Sequence, residues 1–186
     1  MVPSSEDQLT AAACAGSLAA FNQLVELHQQ GVFNVCLRML GSTTAAEDAT
    51  QETFFAAYRS VKGFKGGSFR AWMLRIAANQ CYDQMRGRQR HPTDWLDEDA
   101  PFADPDPQPD AVVLSAEVVK TLEAAILKLP PEQRLCVLLV DVQGLDYDEA
   151  SRAMEVSLGT VKSRLSRARA RLRELLPEDL RLKSGG

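Results

Sequence analysis

Between Gly159 and Arg173 the chain carries six cationic side chains and no acid. Val161, Leu165, Ala168, Leu172 and Leu175 recur there at steps of four, three, four and three, one apolar stripe of a helix. Lys162, Arg164, Arg167, Arg169, Arg171 and Arg173 are left to the other faces, so the helix packs along one edge and offers the rest to anions. A short capped helix and a tight turn precede it. In that arrangement the second helix enters the major groove of DNA and its first residues reach base edges. Here those residues are Thr160, Lys162, Ser163, Ser166 and Arg167. Guanidinium and ammonium groups donate to guanine O6 and N7 and hydroxyls to purine or phosphate, while Arg169 and Arg171 lie further along and suit the backbone. The plainer alternatives are a solvated basic face or a membrane-surface helix; the apolar stripe without aromatics and the preceding capped helix argue against both.

A second constellation runs Lys62-Gly-Phe-Lys-Gly-Gly-Ser-Phe-Arg-Ala-Trp, in which Phe64, Phe69 and Trp72 alternate with Lys62, Lys65 and Arg70. Cations hold phosphates and rings offer stacking surfaces, a combination that suits single-stranded DNA and needs no duplex. Arg75, Asn79, Tyr82 and Arg86 follow on one helical face at steps of four, three and four, extended by Arg88 and Arg90. Phe69, Trp72, Met73 and Ile76 can equally be a core stripe, which makes the loop residues the better functional candidates. A third constellation sets Asp48, Gln51, Glu52 and Phe55 on one face of a helix, opposite small residues. A ring among carboxylates on an exposed stripe resembles a protein-binding anchor with a polar rim, and solvated acids beside a core ring are the bland alternative.

Catalytic vocabulary is otherwise missing. Cys14, Cys36, Cys81 and Cys136 fit neither a zinc spacing nor a disulfide scaffold and read as buried thiols. His28 and His91 are too few for a histidine metal site, and there is no phosphate loop, nucleophile elbow or HExxH. No catalytic residue, metal or cofactor is expected.

The elements that must position these groups follow from composition and punctuation. The 186 residues, 45% apolar and 25% charged, suit one ordinary soluble domain or two small ones. The longest apolar run, Leu135 to Val140, is far below the roughly 20 residues of a bilayer crossing, so a cytosolic chain without membrane insertion is expected. The net charge of −4 hides a segregation: residues 94–110 hold seven acids and no Lys or Arg, while residues 62–91 carry seven cations against one acid. Two basic surfaces on an acidic chain are expected where a protein meets a polyanion at two places. Pro92, Pro101, Pro105, Pro107 and Pro109 interrupt the acidic segment, which reads as a stiffened linker able to span up to roughly 60 Å.

Before the linker, Ser5 with Gln8 can open a first helix that Gly16 ends. Ser17 can cap a second that Gly41 closes and that Gly31 can divide; Thr44 with Glu47 can open a third. A glycine-containing loop over 62–68 leads to a helix from Phe69 to about Arg88. After it, Val112 to Leu129 reads as a helix stopped by Pro130 and Pro131, with the next over Glu132 to Val142, ended by Gly144. Asp146 with Glu149 opens a short helix through Met154, and Ser157 caps the last, Leu158 to Leu176. The fold class is all-α, two helical bundles on a tether, which can occupy separate sites.

Four ordered segments now carry a resemblance: Ala46-Glu-Asp-Ala-Thr-Gln-Glu-Thr-Phe-Phe, Phe69-Arg-Ala-Trp-Met-Leu-Arg-Ile-Ala-Ala-Asn, Leu129-Pro-Pro-Glu-Gln-Arg and Leu158-Gly-Thr-Val-Lys-Ser-Arg-Leu-Ser-Arg-Ala-Arg. Across a Pro-rich linker they resemble a bacterial extracytoplasmic-function (ECF) sigma factor of the sigma-70 family, over nearly the whole chain. The resemblance implies a region 2 bundle over 1–91, the linker over 92–110, a region 4 helix-turn-helix over 111–177 and a frayed tail over 178–186. It implies three partners: core RNA polymerase, met at the beta-prime clamp and beta flap; promoter DNA; and an anti-sigma factor. By position, Asp48, Gln51, Glu52 and Phe55 would dock on the clamp. Lys62, Phe64, Lys65, Ser68 and Phe69 would belong to the loop that captures an extruded minus-ten base, with Arg75, Asn79 and Arg86 along the melted strand. Thr160, Lys162, Ser163, Arg164, Ser166 and Arg167 would meet the minus-thirty-five element.

One departure concerns the turn before the recognition helix, where such proteins usually have glycine and this chain has Glu155. A left-handed residue there stores strain of order 1 kcal/mol. On this reading strand opening is drawn forward by affinity for the unpaired base, without bond-making. A stand-alone helix-turn-helix regulator is the alternative, but it would not need Phe64, Trp72 or the clamp-facing stripe. A purely protein-binding adaptor would leave both cationic blocks without a purpose, and a DNA-processing enzyme would need carboxylates held in fixed geometry, which a proline linker does not provide.

Overall fold

A computed structural model of the protein describes residues 5–90 and 116–180, and the regular elements among them are all helical. Helix α1 (Ser5–Cys14) stops at Gly16, whose φ of +103° only glycine adopts without cost. Ser17 then caps α2 (Leu18–Leu40), its hydroxyl accepting from the Ala20 amide at 3.2 Å, and a left-handed Gly41 returns its N–H to the Leu37 carbonyl at the other end. Gly31 does not divide this helix as the sequence allowed. Val32, Val35 and Cys36 on the following turns are fully buried, and that packing outweighs glycine's poor helix propensity.

Helix α3 (Thr43–Ser60) begins two residues earlier than expected. Its cap is Ser42, which accepts from the Ala45 amide, so Thr44 already lies inside the helix. A 3-10 turn (Val61–Gly63) and the loop through Ser68 lead into α4 (Phe69–Arg90). In the second half come α5 (Ala116–Leu127), α6 (Pro131–Val137), α7 (Tyr147–Met154) and α8 (Leu158–Leu175). Pro131 opens α6 because a first-turn proline loses no hydrogen bond. The expected single helix to Val142 instead widens into a π-helical turn (Leu138–Val142), and Gln143 is buried at its exit. Glu178–Leu180, expected to be frayed, forms one 3-10 turn. The tether over 92–110, Val112 and residues 181–186 lie outside the described residues.

The two halves do not stand apart. Helix α4 lies along α7, and the C-terminal part of α2 meets α5 and α6, so one apolar core runs from Phe21 and Leu24 through Met73 and Leu74 to Leu138, Val161 and Leu165. Polar ties cross the same seam. Arg38 donates to Glu123 at 3.1 Å, and the Arg134 guanidinium, 8% exposed, bonds the carbonyls of Met39 at the end of α2 and of Leu127 and Leu129 at the end of α5. These are helix-end carbonyls without partners within their own helices. Burial lowers the Arg134 pKa, so its charge is held there by those acceptors. Arg134→Ala strips three carbonyls of their donor at a buried site and is expected to cost about 2–4 kcal/mol of stability, read from the urea midpoint.

Candidate nucleic-acid interface

Helix α8 matches its sequence reading closely. Val161, Leu165 and Ala168 are buried, which turns Lys162, Ser163, Ser166 and Arg167 out to solvent and leaves Thr160 and Arg164 half-buried. The unit is held rigid by its caps. Asp146 accepts from the Glu149 amide at 2.7 Å while Glu149 accepts from the Asp146 amide at 3.0 Å, and Ser157 accepts from the Thr160 amide at 3.2 Å. Between α7 and α8, Glu155 is left-handed at φ +54°, the one such non-glycine among the described residues. Its N–H closes on Arg152 and the Val156 N–H on Ser151, and these bonds hold the costly conformation in place.

The two serine and arginine positions most able to read bases are pre-arranged on the helix. Ser163 donates to the Thr160 carbonyl at 3.0 Å. Arg167 folds back on Ser163, from Nε to the carbonyl at 3.2 Å and from Nη2 to Oγ at 3.3 Å. Arg169 differs from expectation: it forms a two-pronged ion pair with Asp141, which raises its pKa, so it braces α8 against the π-helical turn and is not free for phosphate. Arg171 and Arg173 remain exposed.

In the loop before α4, Gly66 and Gly67 take φ of +90° and +91°, which fixes a turn that side-chain-bearing residues resist. Phe64, Phe69 and Trp72 gather there, with ring centroids 5.2 to 5.5 Å apart in edge-on and tilted geometry. The structure separates their roles. Phe69 is 3% exposed and also meets His28 at 5.8 Å, so it is a core residue, not the exposed stacking surface that its place in the loop suggested. Ser68 is engaged as a cap, accepting from the Ala71 amide at 3.1 Å. Phe64 and Trp72 stay half-buried, Phe64 lining a cleft of about 590 Å³, and Lys62 and Lys65 are exposed. Along α4, Asn79 and Arg86 are exposed, Arg86 pairing with Asp83, while Arg75 meets Glu155 at 3.4 Å. Burial, with the Glu132 carboxylate adding to it and Arg164 opposing, pushes the Tyr82 phenol up to about 12.

On α3, Ala45, Ala46, Ala49, Thr53 and Ala57 face the core, so Asp48, Gln51, Glu52 and Phe55 all point outward, Phe55 at 53% exposure. Tyr58 of the same helix and Leu18 at the start of α2 are exposed apolar side chains as well, and the sequence reading gave neither a place on this face. Tyr58 sits edge-on to Phe21 of α2 at 5.2 Å, and the signal was its place one turn beyond Phe55 and two beyond Gln51. Cys36, Cys81 and Cys136 are buried and Cys14 half-buried, all as free thiols, and burial pushes Cys136 up to about 11. Among the described residues no cluster of three or more His, Cys, Asp or Glu could hold a metal ion, and no helix is long and apolar enough to cross a membrane.

The arrangement thus offers a helix for a major groove, an aromatic-cationic loop for an unpaired base and an acidic-aromatic face for a protein. A family model described as Sigma-70 region 2 matches residues 24–91, and one described as Sigma-70, region 4 matches residues 120–172. Over 163 residues the chain is 37% identical to the ECF RNA polymerase sigma factor SigE of Mycolicibacterium smegmatis, covering 86% of this chain and 63% of that protein. Over 173 residues it is 35% identical to the ECF RNA polymerase sigma factor SigM of Mycobacterium tuberculosis, covering 92% and 85%. Of solved structures, the sigma factor RpoE in its co-crystal with the anti-sigma factor NepR, from Bartonella quintana, is similar with a TM-score of 0.71 and 30% identity over 86% of this chain and 98% of that one. CnrH, solved with the cytosolic domain of CnrY, is similar with a TM-score of 0.68 and 27% identity over 90% and 94%. With both regions matched in the order in which their elements are folded, the chain belongs to the ECF sigma factors of the sigma-70 family.

Proposed function

We propose that this chain binds core RNA polymerase, carries it to promoters through α8 and captures an unpaired minus-ten base beside Phe64 and Trp72, so that binding energy opens the duplex. It acts as an initiation factor in the cytoplasm and performs no bond chemistry of its own. The observation that carries this reading is the pair of exposures on one chain: a capped helix-turn-helix with Lys162, Ser163, Ser166 and Arg167 turned outward, and a glycine-shaped aromatic loop flanked by Lys62 and Lys65. A stand-alone regulator would use only the first.

Lys62, Phe64, Lys65 and Trp72 form the capture loop, supported from behind by Ser68 and Phe69, and Arg75, Asn79 and Arg86 follow the displaced strand. Thr160 and Arg164 border the major-groove residues. The region 2 part spans 1–91 and the region 4 part 111–177, joined by a linker over 92–110 whose acids keep it from the template's phosphates. Two similar solved structures are complexes with a second protein, an anti-sigma factor in the case of RpoE, which supports a partner of that class here.

The deciding experiment is transcription in vitro with purified core polymerase and a genomic promoter library. Specific start sites that appear only when the chain is added are the expected result, and their absence rejects the proposal. Asp48, Gln51, Glu52 and Phe55 contact the polymerase, met at its beta-prime clamp, and region 4 reaches the beta flap. Phe55→Ala removes an exposed anchor that no core contact requires, and it is expected to weaken association with core polymerase about tenfold with an unchanged melting temperature. Equal co-purification of the variant and the parent protein would remove Phe55 from that surface.

A further inference from the structure

The polar side chains of α8 fall into two outward rows. Ser163 and Arg167 make one. Lys162, Ser166, Arg169 and Arg173 make the other, at steps of four, three and four, on the flank nearer the apolar stripe. All are exposed, yet one member of the second row is already committed. Arg169 turns from its row to Asp141, with Nε 3.1 Å from one carboxylate oxygen and Nη2 2.5 Å from the other. A guanidinium fork matches a carboxylate edge to edge, so the Nε–Nη2 edge that would otherwise grip a phosphate is spent on one partner. Tyr147 at the start of α7 stands beside the same group.

Asp141 is carried by the π-helical turn, a local widening of the kind that is frequent at functional sites. The turn is closed by the Gln143 N–H on the Leu138 carbonyl at 2.9 Å and anchored by Leu138 and Leu139, both fully buried, so the carboxylate stands on a fixed base. Arg134, the cation of the helix that leads into it, is committed to helix-end carbonyls, and Asp141 finds its cation on α8 instead. With 44% of the Arg169 side chain and 32% of the Asp141 side chain exposed, the pair contributes little to stability. Its consequence for DNA is larger. One more cation on a phosphate changes affinity by about 3.5-fold over a fourfold span of salt, so the pair matters more for what α8 binds than for how it folds.

We propose that Asp141 is a specificity-determining residue of the DNA-binding unit: it withholds Arg169 from the phosphate backbone, so that α8 holds a duplex chiefly through the residues that meet bases. Contacts to phosphate carry no sequence information and strengthen right and wrong sequences alike. Taking one cation out of the row lowers the background against which Lys162, Ser163, Ser166 and Arg167 discriminate, and the carboxylate itself repels a backbone that approaches that flank. The inference rests on the reading of α8 as the duplex-binding helix, and its test is arranged so that the two fail differently.

Four full-length variants serve the test: Asp141→Asn, Asp141→Glu, Arg169→Ala and the double variant Asp141→Asn/Arg169→Ala. Each is assembled with purified core polymerase, and closed-complex formation is measured by gel shift from about 50 to about 200 mM salt. Two duplexes are compared, a promoter that the chain directs in vitro and the same promoter with its upstream element scrambled. The contacts of the polymerase itself are common to all assemblies and cancel when a variant is divided by the parent. The urea midpoint of each free chain reports whether the fold is disturbed. The expected result for Asp141→Asn is a scrambled duplex bound about fivefold tighter at the low salt and less than about twofold tighter at the high salt, a salt slope steeper by about 0.9, the value of one phosphate. The matched duplex gains less, because base contacts fix its register and a freed guanidinium gains only where a phosphate lies within reach, so discrimination falls about two- to fivefold. Asp141→Glu keeps the carboxylate and behaves as the parent does, Arg169→Ala leaves both duplexes as they were, and the double variant returns to the parent.

Asp141→Asn that binds both duplexes as the parent does, or tightens both in equal measure, overturns the proposal. A gain that persists in the double variant also overturns it, since Asp141 would then act as a bulk charge and not through Arg169. So does a salt slope shallower by about one ion in Arg169→Ala, which would put that guanidinium on a phosphate in the complex. Weaker binding of Asp141→Asn to both duplexes with a lowered urea midpoint reduces the pair to a brace. A parent assembly that binds matched and scrambled duplexes equally overturns base reading by α8. A slope that Asp141→Asn still steepens through Arg169 then leaves the hold on Arg169 standing, and an unaltered slope removes that as well.

Discussion

Phe64→Ala is expected to slow promoter opening by about 5- to 150-fold while leaving affinity for the closed duplex unchanged. The ring stands in the loop shaped by Gly66 and Gly67, half-buried, with Phe69 and Trp72 behind it at 5.5 and 5.4 Å. Those neighbours fix its orientation before any base arrives, so little order has to be imposed at capture. A stacked base is worth about 1–3 kcal/mol on such a surface, which is the stated range of rate if the whole contact is made in the open state alone. On the proposed function the duplex is met through α8, without Phe64. The measurement is permanganate reactivity of unpaired thymines beside a gel shift of the closed complex, with the urea midpoint of the variant as a check that the aromatic trio still folds. If the variant loses duplex affinity and opening in equal measure, Phe64 does not act at the opening step.

Arg167→Ala is expected to weaken binding of the upstream duplex element by a similar factor, and to flatten preference at one base pair. In the free chain Arg167 is satisfied by its own helix through Ser163, yet both partners are solvent-exposed, so those bonds yield to a better acceptor at little cost. A guanidinium presented to guanine O6 and N7 discriminates by about 1–3 kcal/mol, and its loss relaxes specificity as well as affinity. Arg171→Ala provides the contrast. Exposed further along the helix, it is expected to weaken all sequences alike and to reduce the salt dependence by about one ion. Binding measured against a panel of single-base substitutions at two salt concentrations separates these outcomes. A uniform loss for Arg167→Ala would move that residue from base reading to backbone holding.

The local elements were legible because their signals are local. Ser17, Asp146 with Glu149 and Ser157 cap where their spacing said they would, and Gly16, Gly41 and Gly144 end their helices in left-handed conformations. The stripe of α8 could be read residue by residue because one helix face decides both what is buried and what is left to solvent. A shift of two positions, Thr44 for Ser42, arises where two nearby hydroxyl residues can each accept the same kind of bond. Glu155 occupies the turn position where the resemblance leads one to expect glycine, and it is left-handed.

What did not follow from the sequence required contacts between positions far apart along the chain. Phe64 and Phe69 carry the same side chain five positions apart, and the packing of α4 against α2, where Phe69 meets His28, drew the latter inward. Arg169 looked like a phosphate ligand until the π-helical turn brought Asp141 beside it. Gly31 and Gln143, 112 positions apart, gave no signal of belonging together.

The sequence by itself determined an all-helical chain, its two basic surfaces, its aromatic loop and its family, because periodicity, capping and charge spacing are properties of short windows. Only the tertiary structure decided that the two bundles close on one another, which rings and cations remain outside, and that Arg134, Gln143 and Glu155 fasten the seam. Those choices depend on the burial of groups brought together from distant positions, and burial is a property of the whole packed chain.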